Sequence, residues 1–142
     1  MRAGLISSLM VIVALVVAGI AVSGSMQARA GQPVQLQGQT IALNGVRSTV
    51  DQFGQPVLKV NFTIENLGAE DMLVSSLSGF EATLADGTKL NQALCSPGLG
   101  SYVAPGHKLR GNICWTTDQA SGVTLHYRTT TAGADTVVWE LK

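Results

Sequence analysis

After Gly31, apolar side chains recur mainly at every second position of the chain, in short runs bounded by Gly, Pro, Asn and Asp. This two-residue period is typical of β-strands with one buried and one exposed face, and no run has the period of a long amphipathic helix. The pattern therefore predicts an all-β domain. The clearest strand divides its residues between two faces, with Leu58, Val60, Phe62 and Ile64 opposite Lys59, Asn61, Thr63 and Glu65.

Turn signals separate this strand from several others. Asp86-Gly87 is suited to a type I′ hairpin turn, and the change of apolar parity across Gly38 indicates a bulge or a strand that changes sheets. About seven short strands at near-regular spacing predict an antiparallel immunoglobulin-like β-sandwich. The further strands are predicted over residues 80–84, 88–90, 108–116, 123–129 and 136–141.

Residues 1–30 differ in kind from the rest of the chain. A positively charged start precedes an uncharged apolar core at residues 9–22, and the segment ends in Ala28-Arg29-Ala30. These features predict a hydrophobic helix that acts as a secretory signal peptide and is cleaved before Gly31. Because the uncharged stretch is about as long as a membrane-spanning helix, an uncleaved anchor is the alternative. Both interpretations predict that the remaining domain, residues 31–142, is exported and lies outside the cytoplasm, either secreted or membrane-anchored.

The charge balance of this domain is slightly acidic. All nine acids lie after residue 50, whereas two of the nine bases, Arg2 and Arg29, belong to the leader. The remaining bases form no stripe along the sequence, so the electrostatic footprint of a nucleic-acid-binding protein is missing. We therefore expect no nucleic-acid partner, and we expect membrane contact only through residues 1–30 if they are retained.

The two cysteines, Cys95 and Cys114, are the most informative polar residues. Cys114 falls on the polar parity of its predicted strand, opposite Ile113 and Trp115, and therefore points away from the main core. Cys95 begins an irregular connection rich in glycine and proline. Two cysteines in an exported chain most simply form one disulfide. Such a bond would clip the connection onto the outside of the strand.

Other chemistry has little support in the sequence. A reactive Cys114 would need a nearby base that lowers its pKa, such as His107. No Gly-x-Ser-x-Gly nucleophile motif occurs. We therefore predict a protein that is not an enzyme, with no catalytic residue, no metal ligand and no cofactor. The residue types of a blue-copper site are present, but no histidine or methionine closely follows the cysteine; they are His107, Cys114, His126 and Met72.

Four motifs resemble, in order and spacing, those of the secreted bacterial immunoglobulin-like domains, the group that includes the mycobacterial immunoprotective extracellular antigen. The motifs are "VNFTIENLG" (60–68), "FEATLADGTKL" (80–90), "VAPGHKLRGNICW" (103–115) and "LHY" (125–127). The resemblance covers about residues 43–141 and implies a β-sandwich on the outer side of the membrane. It implies no catalytic residues, and the Cys95/Cys114 pair departs from the family's pattern.

These features predict a non-enzymatic extracytoplasmic binding or interaction module with a protein, glycan or envelope partner. Its contacts would come from sheet edges, an exposed face or the connection from Cys95 to Gly106. A tyrosine in a glycine-rich loop is a usual anchor, so Tyr102 with its neighbours Leu99 and Val103 is a candidate contact, unless Tyr102 packs on its own domain. The alternative function is a structural or accessory subunit of a membrane or cell-surface assembly, held by a retained N-terminal transmembrane helix.

Overall fold

The computed structural model describes residues 25–129 and 135–142 of the chain. Within these ranges the chain forms eleven β-strands, and no helix is long and apolar enough to cross a membrane. The hydrophobic helix predicted in the leader lies outside the described residues. In chain order the strands are β1 (Ser25–Ala28), β2 (Val34–Leu36), β3 (Gln39–Val50), β4 (Pro56–Asn66), β5 (Met72–Ser75), β6 (Phe80–Leu84), β7 (Gln92–Ala93), β8 (Gly100–Val103), β9 (Lys108–Thr116), β10 (Val123–Arg128) and β11 (Thr136–Leu141).

The strands form two larger sheets and one small one. The five-stranded sheet has the order β2-β3-β4-β9-β7, the four-stranded sheet has the order β1-β11-β10-β6, and β5 pairs with β8. All pairs of strands are antiparallel except β1 with β11. The predicted antiparallel β-sandwich is confirmed. The strands outnumber the seven expected because pieces as short as β7 carry too few residues to show an alternating pattern.

Phe62 on β4 lies in the core between the two larger sheets. Its ring centroid is 5.1 Å from that of Phe80 and 5.5 Å from that of Trp139, and both of these residues belong to the four-stranded sheet. The apolar face predicted for β4 is fully buried, as are Val137 and Trp139 on β11. Because aromatic side chains bury large areas and prefer particular ring orientations, these contacts hold the two sheets together.

The change of parity across Gly38 marks a hairpin turn, so the predicted bulge or change of sheet at this position is wrong. Leu36 pairs directly with Gln39 across a two-residue turn, in which Gly38 adopts a φ of 79°. The reversal of the chain puts Val34 opposite Ile41, and the two apolar runs thereby reach the same face. The irregularity in β3 lies instead between Leu43 and Gly45.

The turn after β6 also differs from its prediction. A type I′ turn needs two residues with positive φ, but only Gly87, at 90°, has one in this turn. The Asp86 carboxylate instead accepts a hydrogen bond from the backbone N–H of Thr88 at 2.9 Å. The pKa of Asp86 is lowered by a hydrogen bond with the Thr88 side chain first and by this backbone bond second. After the turn, a single bridge from Lys89 to Thr83 replaces the strand predicted over residues 88–90.

The sandwich includes residues that the sequence assigns to the leader. Ser25–Ala28 forms β1, whose residues pair in parallel with Thr136–Trp139 of β11. The side chains of Met26 and Ala28 are half-buried and pack against the core. The folded unit therefore begins upstream of Gly31, the predicted boundary. Cleavage of the leader stays a prediction.

Candidate functional site

Cys95 and Cys114 form a disulfide, with 6.0 Å between their Cα atoms. Cys114 lies on the outer face of the five-stranded sheet, the face turned away from the four-stranded sheet, and its neighbours there are Lys59 on β4 and Ala93 on β7. It is excluded from the main apolar cluster, as predicted, yet it is fully buried. Because both sulfur atoms are bonded to each other, neither the reactive thiol nor the blue-copper site considered for Cys114 is present.

The segment that follows Cys95 lies along β9 and is bonded to it. The backbone N–H of Asn112 donates to the Pro97 carbonyl at 2.8 Å, and the N–H of Leu99 donates to the Asn112 carbonyl at 3.0 Å. The Lys59 ammonium donates to the Ser96 carbonyl at 3.1 Å. The disulfide is thus one of several links that hold this segment against the five-stranded sheet.

Gly111 is required for the close approach of this segment, and replacing it with alanine is expected to lower the free energy of unfolding by about 2 kcal/mol. A Cβ atom on Gly111 would lie 2.6 Å from the Gly98 carbonyl oxygen and 2.8 Å from the Leu99 Cα atom. Backbone atoms must move to relieve such contacts. Urea unfolding measures the change. Gly45→Ala is the control, since a Cβ at Gly45 meets no atom within 4 Å; equal stability of the two variants would contradict the prediction.

A chain of three asparagine side chains crosses the outer face from β3 to β9. Asn44 Nδ2 donates to Asn61 Oδ1 at 2.8 Å, and Asn61 Nδ2 donates to Asn112 Oδ1, also at 2.8 Å. Asn112 Nδ2 then donates to the Pro97 carbonyl at 3.0 Å. Hydrogen bonds that run in one direction polarise one another and fix their side chains. The outer face therefore presents a rigid polar surface.

Basic side chains surround this asparagine chain. Arg47 and Lys59 are direct cross-strand neighbours, and like charges in that position destabilise a sheet. Arg110 donates from Nε to Asn61 Oδ1 at 2.9 Å, which leaves its two terminal nitrogens free of this bond. Lys108, farther along β9, faces Glu65 on β4. Four of the seven bases that follow residue 31 thus lie on one face of the sandwich.

Acidic side chains do little to balance these bases. Among the described strand positions of the outer face, Glu65 is the single acid. Asp51, in the hairpin that follows β3, uses one carboxylate oxygen to accept the backbone N–H groups of Phe53 at 2.8 Å and Gln55 at 2.9 Å. The outer face therefore concentrates positive charge although the domain after residue 31 has more acids than bases.

Two concave surfaces on this side of the sheet are open to solvent. A shallow depression of about 350 Å³ is lined by Arg47, Lys59, Asn61 and Asn112. A groove of about 550 Å³ continues past Lys59 along the disulfide, with the exposed side chains of Val50 and Leu94 at its wall. The depression brings two cations and two amide side chains together from three strands. This convergence makes the outer face the candidate functional site.

The sequence predicts contact through an exposed face without indicating the residues of this site, and two of the three candidate contact residues are buried. Leu99 is 1% exposed and Val103 is 2% exposed, because both side chains belong to the core, so their assignment to a contact surface is wrong. Tyr102 is 70% exposed and faces Leu73 on β5, which is 60% exposed. Tyr102 therefore does not pack into its own domain, and its contact with a partner stays a prediction.

A further cavity of about 380 Å³ lies at the end of the sandwich where β3 begins and β10 ends. The buried Tyr127 hydroxyl donates to Gln39 Oε1 at 2.7 Å within its lining. Burial raises the pKa of Tyr127 to about 12. In the described parts of the chain, no three His, Cys, Asp or Glu side chains are grouped so that they could hold a metal ion.

Replacing Tyr127 with phenylalanine is expected to cost about 1 kcal/mol at pH 7, because Gln39 loses a buried donor. The folded pKa of about 12 exceeds the ordinary value of about 10, so the tyrosine's contribution is complete below pH 10 and is lost as the pH rises through 12. Urea unfolding of both proteins from pH 8 to 11.5 should therefore show their stability difference shrinking above pH 10. A difference that stays constant would contradict the prediction.

No protein-family model matches the chain, and no curated protein does. Several solved structures share its fold. The yjhA protein from Bacillus subtilis has a TM-score of 0.66 at 15% identity, over 80% of this chain and 98% of its own. The secreted protein MPT63 from Mycobacterium tuberculosis has a TM-score of 0.60 at 14% identity, over 82% of this chain and 97% of its own.

A putative lipoprotein from Bacillus subtilis, ycdA, has a TM-score of 0.62 at 22% identity. The match covers 75% of this chain but 37% of the lipoprotein, so the chain corresponds to just over a third of that protein. The predicted resemblance to secreted bacterial immunoglobulin-like domains is confirmed at the level of the fold. The similar structures include one secreted protein and one putative lipoprotein, and at these identities they show a shared β-sandwich alone.

Proposed function

We propose that this protein is a non-catalytic binding module that works outside the cytoplasm and contacts its ligand through the outer face of the five-stranded sheet. The observation that carries the proposal is the direct pairing of Arg47 with Lys59 beside the asparagine chain. Neither base has a carboxylate partner within 4 Å among the described residues. The resulting repulsion weakens the sheet, and a bound ligand with acceptor groups relieves it.

The proposed location of the module rests on the leader and on proteins that share its fold. Residues 1–30 have the charge and apolar pattern of an export signal. The secreted protein and the putative lipoprotein that share the fold support the same location. The disulfide is consistent with it, because structural disulfides persist in oxidising compartments.

Site-directed photocrosslinking in the native host tests the proposal. Gly45 is the attachment point for a benzophenone amino acid, since it pairs with Asn61 on the outer face and a side chain there meets no atom within 4 Å. The control carries the same amino acid at the exposed Glu140 of β11. We expect a covalent adduct that depends on irradiation from position 45 alone. The same adduct from both positions, or from position 140 alone, would rule out the outer face.

The second candidate function is an accessory subunit held at a membrane by a retained leader. The observation in its favour is the position of β1, which starts at Ser25 and so leaves two residues between the predicted apolar core at 9–22 and the sandwich. Such a short connection would hold the domain against the membrane surface. Intact mass of the protein from its native host separates the two candidates, since residues 1–22 are retained only in the second.

A further inference from the structure

The bases of the outer face form a track rather than a single pocket. Arg47 and Lys59 lie in one cross-strand row, and Lys108 lies in the row of Glu65. The two rows are six steps apart along β4, from Lys59 to Glu65, which corresponds to about 20 Å at the rise of an antiparallel strand. Arg110 lies between them and is held over the asparagine chain by its bond to Asn61. One small anion reaches only part of such a track, whereas an extended polymer with repeated charges contacts all of it.

We propose that the ligand of the outer face is an extended polysaccharide that carries carboxylate or phosphate groups along its chain. This inference rests on the proposed function and names the ligand class of the same site. Guanidinium and ammonium groups provide charge-assisted donors for the anionic groups. The amide and hydroxyl side chains between them, such as Asn44 and Thr63, match the hydroxyl groups of sugars, which both donate and accept hydrogen bonds.

Other ligand classes fit the outer face less well. Binding of single-stranded nucleic acid uses aromatic side chains on which bases stack, and the strand residues of the described outer face include none. Docking on an anionic membrane combines bases with apolar side chains that enter the bilayer interface. The exposed apolar side chains of Val50 and Leu94 lie beside the groove at one end of the track, whereas its centre is occupied by asparagines that are bonded to one another. A neutral glycan would leave the repulsion between Arg47 and Lys59 uncompensated.

Calorimetry with residues 25–142, which include β1, tests the inference. The probes are polygalacturonate and phosphorylated dextran, each with an uncharged counterpart, fully methyl-esterified polygalacturonate and dextran. We expect at least one charged polymer to bind and its counterpart to bind at least tenfold more weakly. Affinity should also fall as sodium chloride is raised from 20 to 200 mM, since salt screens exposed charges. Failure of both charged polymers to bind would overturn the inference.

Charge variants assign the binding to the track. Arg47→Gln is expected to weaken binding about tenfold, and Arg47→Gln with Lys59→Gln about a hundredfold, if each lost contact is worth about 1.4 kcal/mol. Lys59→Arg keeps the positive charge and should therefore bind with nearly the affinity of the wild type. Arg128→Gln removes the same charge from β10 in the other sheet and should leave binding unchanged. An equal loss of affinity in Arg128→Gln would show that binding depends on net charge alone, and it would overturn the inference.

The remaining outcomes separate the ligand class from the proposed function. Equal binding of a charged polymer and its uncharged counterpart, with loss in the Arg47 variants, would overturn the anionic ligand and leave the outer face as the binding site. Tight binding of polyglutamate or of vesicles with 30% phosphatidylglycerol, without binding of the charged polysaccharides, would overturn the polysaccharide as ligand and leave the outer face as the binding site. Photocrosslinks from position 45 that persist in all these cases would keep the proposed function, and their absence would remove it.

Discussion

Simultaneous replacement of Cys95 and Cys114 by alanine is expected to lower the free energy of unfolding by about 3 kcal/mol. The bond closes a loop with a sequence separation of 19 residues, and the entropy that this closure removes from the unfolded chain corresponds to that energy. The loss of the buried Cys114 sulfur contact adds a smaller cost within the folded protein. Urea unfolding of the variant and of the oxidised wild type gives the difference.

Reduced wild-type protein is the matched control for this prediction. It keeps both sulfur atoms and loses only the covalent bond, so it should account for most of the difference. A second consequence concerns the segment that the disulfide holds against β9. Hydrogen exchange of the Leu99 N–H, which is bonded to the Asn112 carbonyl, should accelerate in the variant. A variant with wild-type stability would show that the backbone bonds alone fix the segment.

The disulfide also stabilises the candidate site. Lys59 is tied to the Ser96 carbonyl, and the last donor of the asparagine chain, Asn112 Nδ2, is tied to the Pro97 carbonyl. Both acceptors follow Cys95 directly in sequence. Release of Cys95 therefore loosens the side chains that line the depression, and we expect ligand affinity to fall together with stability. Preorganised donors bind more tightly because little conformational entropy is lost on binding.

Local sequence patterns predicted the strands of the sandwich where apolar and polar side chains alternate. Along β4 the burial alternates in the same way. The bounds of β9 and β11 also match the predicted runs 108–116 and 136–141, although residues 111–115 and 137–139 are all buried. The parity of Cys114 within β9 was enough to place it on the outer face. Turn geometry was predicted less well, since a dipeptide such as Asp86-Gly87 is compatible with more than one turn and the neighbouring strands select among them.

The candidate site could be predicted only in part. Alternation assigns Lys59 and Asn61 on β4, and Arg110 and Asn112 on β9, to outward faces. Nothing local reveals that these two strands are neighbours, because 49 residues separate Arg110 from its hydrogen-bond partner Asn61. The absence of a basic stripe in the sequence therefore did not exclude a basic track in the folded protein. The track exists because the order of strands in the sheet brings together basic residues that are distant in sequence.

The same limit applies to the leader. The Ala28-Arg29-Ala30 sequence satisfies a local rule for signal cleavage, whereas the fold uses Ser25–Ala28 as the strand β1. The backbone pairing with β11 and the packing of Met26 against the core are tertiary contacts, which a cleavage rule does not consider. The structure and the local rule thus favour different starting points for the stable domain.

A chain that starts at Gly31 is therefore expected to be less stable than a chain that starts at Ser25, by about 3 kcal/mol. The shorter chain loses the half-buried side chains of Met26 and Ala28 together with the backbone pairing of β1. Truncating one fully buried methionine costs about 2–5 kcal/mol, so a combined loss near the lower part of that range is expected. It also leaves the edge of β11 without its partner, and an unpaired edge is a template for association with other strands. Urea unfolding and sedimentation of residues 25–142 and 31–142 measure both effects.

Met26→Ser in the longer chain separates the two contributions, because it removes the apolar side chain and keeps the backbone pairing of β1 with β11. We expect this variant to lose part of the stability and to stay monomeric, whereas the chain from Gly31 associates. Equal stability of the two chain lengths would mean that β1 contributes nothing to the fold. If the predicted loss is observed, export followed by cleavage before Gly31 would open the edge of β11, and the native mature protein is then expected to retain residues 25–30.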